Sequence, residues 1–255
     1  MTAVQARAIP HRRPFSEKLV TSFRKRRLAL RRLVRADGRL RCRYFDTAFI
    51  VDVGEVIGYE IAVCRFEWRE IKLMMEACRR LRPDVVLDVG ANIGVYACIL
   101  GRHRLAPKIL AFEPDQENFA ALQANVRLNG LTGIVEARAA AVGARSGSAT
   151  LLPAGSDNRG LSRIAPGASG GYPVAMVALD DVLPLDGRTI VAKVDVEGYE
   201  AEVLAGAERL FARNGGFAQI EGRDDRTAAL VAERMTGLGW RFLERYGLDL
   251  RFEKP

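Results

Sequence analysis

The sequence predicts an α/β domain: a mostly parallel seven-stranded sheet with helices on both faces and an antiparallel hairpin at its C-terminal end. Two observations predict it. From residue 84 onward short apolar runs alternate with amphipathic helical segments, the pattern of a doubly wound sheet. A late apolar stretch, Trp240 to Phe252, then reads as a hairpin turning near Tyr246-Gly247, which would add antiparallel strands to a parallel sheet. A chain of 255 residues, 49% hydrophobic and 27% charged, can bury one substantial core, so one soluble globular unit with appendages is expected.

The elements follow in chain order. Residues 1 to 14 have no periodicity and are expected to be disordered. From Ser16, the residues Leu19, Phe23, Leu30 and Val34 keep near-helical spacing among Lys18, Arg24, Lys25, Arg26 and Arg27, giving a basic amphipathic helix over 16–35. Such a helix suits an anionic bilayer surface, nucleic acid, or its own domain. Arg39 to Val53 reads as one or two short strands. Glu67 to Leu81 repeats apolar residues at helical spacing until Pro83 stops it. The composition thus divides the chain into a basic arm (1–43), strands and a helix packed on the core (44–83), and the main domain (84–255).

Within the main domain, strands are expected at Val85–Val89, Ile109–Glu113, Ile134–Ala139, Ile190–Val194 and Phe217–Glu221. Asp115 can cap a helix whose face is Phe119, Leu122 and Val126, ended by Asn129-Gly130. One helix is expected from Glu200 to Asn214-Gly215, and another from Asp225 to Leu238. Residues 143 to 171, crowded with Gly, Ser and Pro, are expected to form a small hairpin and a long mobile loop.

Composition excludes several chemistries. Cys42, Cys64, Cys78 and Cys98 stand far apart with no CxxC pair, and His11 and His103 are the only histidines, too few for a histidine metal site or a catalytic triad. No run is long and apolar enough to span a membrane, and the N-terminus lacks the apolar stretch of a secretory signal, so the cytoplasm is the expected location. The net charge of +8 is uneven: residues 1–43 hold 14 Lys and Arg against two acids, or +12, which leaves −4 on the other 212 residues. A basic arm on a mildly acidic body bears on association with phosphates or a membrane surface.

The chemistry is expected at the carboxyl ends of the strands, where open parallel sheets bind ligands. Gly90 and Gly94 allow a tight turn with a helix N-terminus behind it, in a G-x-N-x-G spacing that departs from the G-x-G-x-x-G of dinucleotide folds. Glu113, at the end of the next strand, can accept both hydroxyls of a ribose. A pyrophosphate would be repelled by Asp88, Glu113, Asp195 and Glu197, whereas a sulfonium and an α-ammonium would be attracted. S-adenosylmethionine offers both cations, and its carboxylate can meet backbone amides between Gly90 and Gly94.

The successive segments Asp88-Val-Gly-Ala-Asn-Ile-Gly-Val-Tyr96, Phe112-Glu-Pro114, Asn125 to Asn129, Asn158-Arg-Gly-Leu-Ser162 and Lys193-Val-Asp-Val-Glu-Gly-Tyr-Glu200 resemble the motifs of the FkbM family of methyltransferases, over roughly residues 45 to 222. The resemblance implies a class I methyltransferase Rossmann-like fold and O-methylation of a sugar, glycosylated lipid or secondary metabolite. Asp88, Gly90, Asn92, Gly94 and Glu113 would hold the cofactor. Asp195 and Glu197 would face the transferring methyl and the acceptor, one or the other acting as general base, with Lys193 as a positive neighbour and Asn158, Ser162 and Glu221 binding the acceptor. The end of the third strand, Arg138-Ala-Ala-Ala-Val142, departs from the pattern in offering no acid or amide to an adenine. Asp195-x-Glu197 beside a lysine makes a weak metal site, so none is expected.

Two other readings compete. A nucleic-acid methyltransferase could use the arm to track phosphates, but the fourth strand ends in Asp195-Val-Glu-Gly and lacks the Pro-Pro-aromatic motif that grips a base amine. A non-catalytic binding module would keep the fold and lose the chemistry.

Overall fold

The computed structural model describes residues 39–155, 158–165 and 168–255. The basic helix expected over 16–35 and the expected disorder of residues 1–14 lie outside the described residues. The chain enters through a hairpin, β1 (Arg39–Tyr44) and β2 (Thr47–Asp52), so the boundary drawn at residue 43 by charge falls inside a strand. Alternate residues of the hairpin, among them Leu40, Tyr44, Phe49 and Val51, are buried on the core. Helix α1 (Val56–Ala62), which the sequence pattern did not reveal, leads to α2 (Trp68–Leu81). The latter buries Ile71, Met74, Met75 and Cys78, and it ends at Arg82, whose left-handed backbone (φ 50°) precedes Pro83.

The nucleus of the sheet follows: β3 (Val85–Val89), α3 (Val95–Arg102), β4 (Ile109–Phe112), α4 (Gln116–Leu128) and β5 (Val135–Arg138). As expected, the Asp115 side chain caps α4, accepting from the N–H groups of Glu117 and Asn118, and Gly130 follows the helix at φ 66°. Two amides of α4 have a second task. Asn125 and Asn129 pair with the edge of β2, through Ile50 N at 2.9 Å and through both Ala48 N at 3.0 Å and Ala48 O at 2.7 Å. Asn125 also donates to Ile93 O at 3.0 Å, so one buried amide joins the N-terminal hairpin to the glycine loop after β3.

The described residues between 141 and 177 hold more regular structure than the composition of 143–171 implies. Strands β6 (Ala141–Val142), β7 (Gly147–Leu152), β8 (Arg163–Ile164) and β9 (Tyr172–Val177) form a four-stranded sheet in the order β6-β9-β7-β8, where a small hairpin and a long loop were expected. Its cluster of Ala141, Leu151 and Val174, backed by Tyr172 and Met176, supplies apolar burial that the glycines and serines conceal.

The second half of the main sheet comprises α5 (Leu179–Val182), β10 (Thr189–Val194), α6 (Glu200–Ala205), α7 (Glu208–Arg213), β11 (Gly215–Glu221), α8 (Asp225–Gly237), β12 (Arg241–Tyr246) and β13 (Asp249–Lys254). The single helix expected over 200–214 is two. At the break, Gly206 packs so closely on Gly143 that a Cβ would lie 2.0 Å from the Gly143 carbonyl oxygen. Its own carbonyl is diverted to Asp180 N at 2.8 Å.

The seven main strands run in the order β12-β13-β11-β10-β3-β4-β5, all parallel except β13. β3 and β4 are buried throughout, as a parallel sheet covered on both faces requires. One face meets the hairpin and α1 to α4, the other α5 to α8. Trp240 anchors the second layer, buried with its indole N–H donated to Phe211 O at 2.9 Å. No helix among the described residues is long and apolar enough to cross a membrane.

Candidate active site

The strand order reverses between β3 and β10, so their carboxyl ends diverge into helices on opposite faces and leave a crevice. The crevice floor is a backbone contact. Asp195 N donates to Val89 O at 3.0 Å, and Gly90, at φ 81°, lies so close that a Cβ there would sit 1.8 Å from Asp195 O. Only glycine permits this approach. A cleft opens above it, lined by Gly90, Asn92 and Glu113 on one side, Asp195 and Glu197 on the other, and Arg159 and Ser162 from the loop before β8. Ala140, Ala141 and Val142 add an apolar stretch of wall, and Asn118 and Arg163 add polar groups to the rest.

On the first side, the Glu113 carboxylate ties two loops together. Oε2 accepts from Asn92 N at 2.8 Å and Oε1 from Asp115 N at 2.9 Å. Glu113 is 5% exposed, and burial pushes its carboxyl up to about 7 against those two N–H donors. Asn92 holds a left-handed turn (φ 50°), its own Oδ1 accepting from Ile93 N. The other expected cofactor residues stand beneath the cleft. Asp88 is fully buried and accepts from Ala97 N at 3.0 Å in the first turn of α3, with burial raising its carboxyl to about 6. Gly94 is the N-cap of α3 at φ 81° and packs on Leu122.

On the second side, four carboxylates gather at the ends of β10, β11 and β13. Glu197 turns back at φ 58° and pairs with Arg223 at 2.6 Å, while burial and then the charge of Asp195 raise it to about 7. Glu221 is half-buried with Oε2 unpartnered, and burial, with the charges of Asp195 and Glu197, raises it to about 9. Asp249, paired in register with Glu221, is raised to about 7 by burial. Lys193 neutralises part of this charge: its Nζ lies 2.6 Å from Asp195 Oδ2. Burial alone would lower the ammonium, but Asp195, then Glu67 and Asp249, outweigh it and hold it well above its ordinary value. Lys193 is 5% exposed and borders the cleft only through Asp195.

The loop residues divide. Ser162 reaches the cleft, its Oγ accepting from Ala154 N at 3.1 Å, whereas Asn158 starts the short turn Arg159–Leu161 outside the cleft lining. Sequence reasoning missed Arg159, which bridges Glu55 at 3.0 Å and Glu117 at 2.6 Å and so straps this loop to both α1 and α4. It also missed Glu67, Asp249 and Tyr172, whose hydroxyl donates to Asp115 Oδ2 at 3.1 Å. Each is brought to the site by a contact with a residue distant in sequence, which no local pattern announces.

An open sheet in this order, with its acid-lined cleft at the switch point, defines the class I methyltransferase fold. Residues 88–228 match the methyltransferase FkbM domain, and the chain belongs to that family. Among curated relatives it is 29% identical over 150 residues to the hexuronic acid methyltransferase AglP of Haloferax volcanii, a match covering 58% of this chain and 59% of that protein. It is 33% identical over 160 residues to the 31-O-demethyl-FK506 methyltransferase FkbM of Streptomyces tacrolimicus, covering 50% and 61%. The matches thus span about three fifths of either relative. Among solved structures, the FkbM methyltransferase of Methylobacillus flagellatus superposes with a TM-score of 0.50 at 20% identity, covering 67% of this chain and 43% of that one. The tRNA (uracil-54, C5)-methyltransferase of Pyrococcus abyssi, in complex with S-adenosyl-L-homocysteine, gives 0.50 at 10% identity over 84% and 44%. At these identities the likeness is one of fold.

Proposed function

We propose that the chain transfers a methyl group from S-adenosylmethionine to a hydroxyl of a sugar, glycosylated lipid or secondary metabolite. The observation that carries this reading is the crevice in which Glu113 faces Asp195 and Glu197 across the open backbone of Gly90. The donor set fits the cofactor: carboxylates for a ribose diol and two cations, and an apolar wall at Ala140 to Val142 for the adenine face. The two curated relatives, a hexuronic acid methyltransferase and a 31-O-demethyl-FK506 methyltransferase, support a small hydroxylated acceptor.

In this reading S-adenosylmethionine supplies a methyl group on a sulfonium, open to in-line displacement. The N–H groups of Gly90 and Ala91 are taken by Phe112 O, that of Asn92 by Glu113, that of Ile93 by Asn92 Oδ1 and that of Gly94 by Ala91 O, so the amides expected to meet its carboxylate are already bonded. Gly90 and Asn92 border its methionine portion and Glu113 accepts from its ribose, while Asp88 and Gly94 fix the start of α3. Asp195 and Glu197 orient the acceptor hydroxyl, and alignment alone can supply roughly 7–11 kcal/mol of barrier reduction. As the oxygen–carbon bond forms, the acceptor proton passes to a carboxylate and the sulfur keeps the electron pair of the broken bond. Glu197, raised to about 7, is matched to that proton at neutral pH. Ser162 flanks the acceptor, while Glu221, like Asn158, stands outside the cleft lining.

Methyl-labelled S-adenosylmethionine incubated with the protein and fractionated extract tests the reading. A labelled methyl ether stable to mild base is expected; label appearing only in RNA, or as a base-labile ester, would overturn it.

A further inference from the structure

Glu67 caps α2 in an uncommon way. Its backbone is left-handed at φ 33°, a conformation unfavourable for a non-glycine residue, and its side chain makes no capping hydrogen bond. The side chain turns instead toward the sheet. Oε2 accepts from the Tyr96 hydroxyl at 2.6 Å and lies 3.9 Å from Lys193 Nζ. The ammonium also sits 4.8 Å from the Tyr96 ring centre, so the ring and the Glu67 carboxylate enclose it. On its remaining side is Asp195 at 2.6 Å. The lysine is therefore gripped from three elements, α2, α3 and its own strand.

The grip has no evident task in holding the fold. A buried ion pair that only filled this position could be replaced by apolar residues at little cost, and the same row of the sheet already carries Asp88 and Gln219 on either side of Lys193. What the grip does achieve is to fix a cation directly behind Asp195, the carboxylate that borders the cleft.

We infer that Glu67, hydrogen-bonded to Tyr96, is a positioning residue that clamps the Lys193 ammonium against Asp195 and so fixes the carboxylate that orients the methyl acceptor. This rests on the methyl-transfer reading above. Asp249 faces the same ammonium from β13 and Glu70 faces Glu67 from α2, so the clamp works within a net acidic shell, which favours a cation at its centre. Glu67 touches neither cleft nor acceptor and acts only through Lys193.

The chain has six lysines, so the side-chain ammonium resonances of the ¹⁵N-labelled full chain can be assigned with Lys193→Met as reference. Wild-type Lys193 is expected to give a slowly exchanging signal. In Glu67→Gln, and independently in Tyr96→Phe, its hydrogen exchange should accelerate about tenfold, which corresponds to a lost contact of about 1.4 kcal/mol. Turnover with the labelled acceptor fraction should fall about tenfold in both variants, with affinity for S-adenosylmethionine by calorimetry unchanged. Unchanged exchange would overturn the clamp; so would faster exchange with undiminished turnover, or cofactor affinity falling in step with turnover. If the wild type transfers no methyl group, the proposed function falls and the exchange measurement alone decides the clamp.

Discussion

The backbone N–H of Asn92 donates to Glu113 Oε2 at 2.8 Å, and this bond ties the turn after β3 to the end of β4. The same carboxylate takes Asp115 N, so the residue proposed to meet the ribose also holds both loops that shape the cleft. Glu113→Gln keeps the size but exchanges a charged acceptor for a neutral one. Since a hydrogen bond to a charged group contributes about 1.5–3 kcal/mol, cofactor affinity is expected to fall roughly 10- to 150-fold, as read by calorimetry. An affinity within a factor of two of wild type would remove Glu113 from the cofactor site.

Gly90 is a steric requirement. Alanine there would place Cβ 1.8 Å from Asp195 O on a backbone at φ 81°, so β3 and β10 must part at their carboxyl ends. Gly90→Ala is expected to destabilise the fold by more than about 1 kcal/mol and to lower Tm by at least about 2–4 °C. A variant as stable as wild type would mean that these strand ends do not meet as described.

The acid–base assignment separates by substitution. Glu197→Gln at saturating acceptor should cost about 10²- to 10⁴-fold in turnover if Glu197 takes the proton. Undiminished turnover, alongside a large loss in Asp195→Asn, would move the base to Asp195. Neither substitution should abolish cofactor binding, because Glu113 and the glycine turn lie across the cleft.

Stability should depend on pH in a defined direction. Burial raises Glu113 from 4.5 to about 7, Asp249 from 3.8 to about 7 and Asp88 from 3.8 to about 6. An acid whose folded pKa exceeds its unfolded one binds protons more tightly in the native state. Its contribution is therefore complete below the unfolded value and is lost as pH rises through the folded value. Thermal melts of the free protein should accordingly weaken between about pH 4 and 7 from these groups. The stabilisation added by S-adenosylmethionine should grow over the same interval, because its cations favour ionised carboxylates. A cofactor-induced shift in Tm that is flat or falling over this interval would contradict the charge argument.

How much of this was legible in the sequence differs between elements. The strands from Val85 onward and the cap at Asp115 were readable because burial on both faces leaves continuous apolar runs and because a cap is a local hydrogen bond. The G-x-N-x-G turn and Lys193-Val-Asp-Val-Glu-Gly198 likewise lie in contiguous segments, so both walls of the cleft could be named in advance. The break at Gly206 was invisible, since its cause is the backbone of Gly143, distant in sequence. Glu67 has the same character. It begins a helix in the linear pattern, and only the packing of α2 against β10 and α3 reveals that its side chain serves Lys193 and not the helix. The sheet over 141–177 was obscured because its apolar residues are few and its glycines and serines read as loop.

Calorimetric titration of the purified protein with S-adenosylmethionine at pH 8 tests the cleft most directly. One cofactor per chain is expected, bound at least about tenfold more weakly by Glu113→Gln; no detectable heat with the wild type, or equal affinity in both proteins, would contradict the assignment of this cleft.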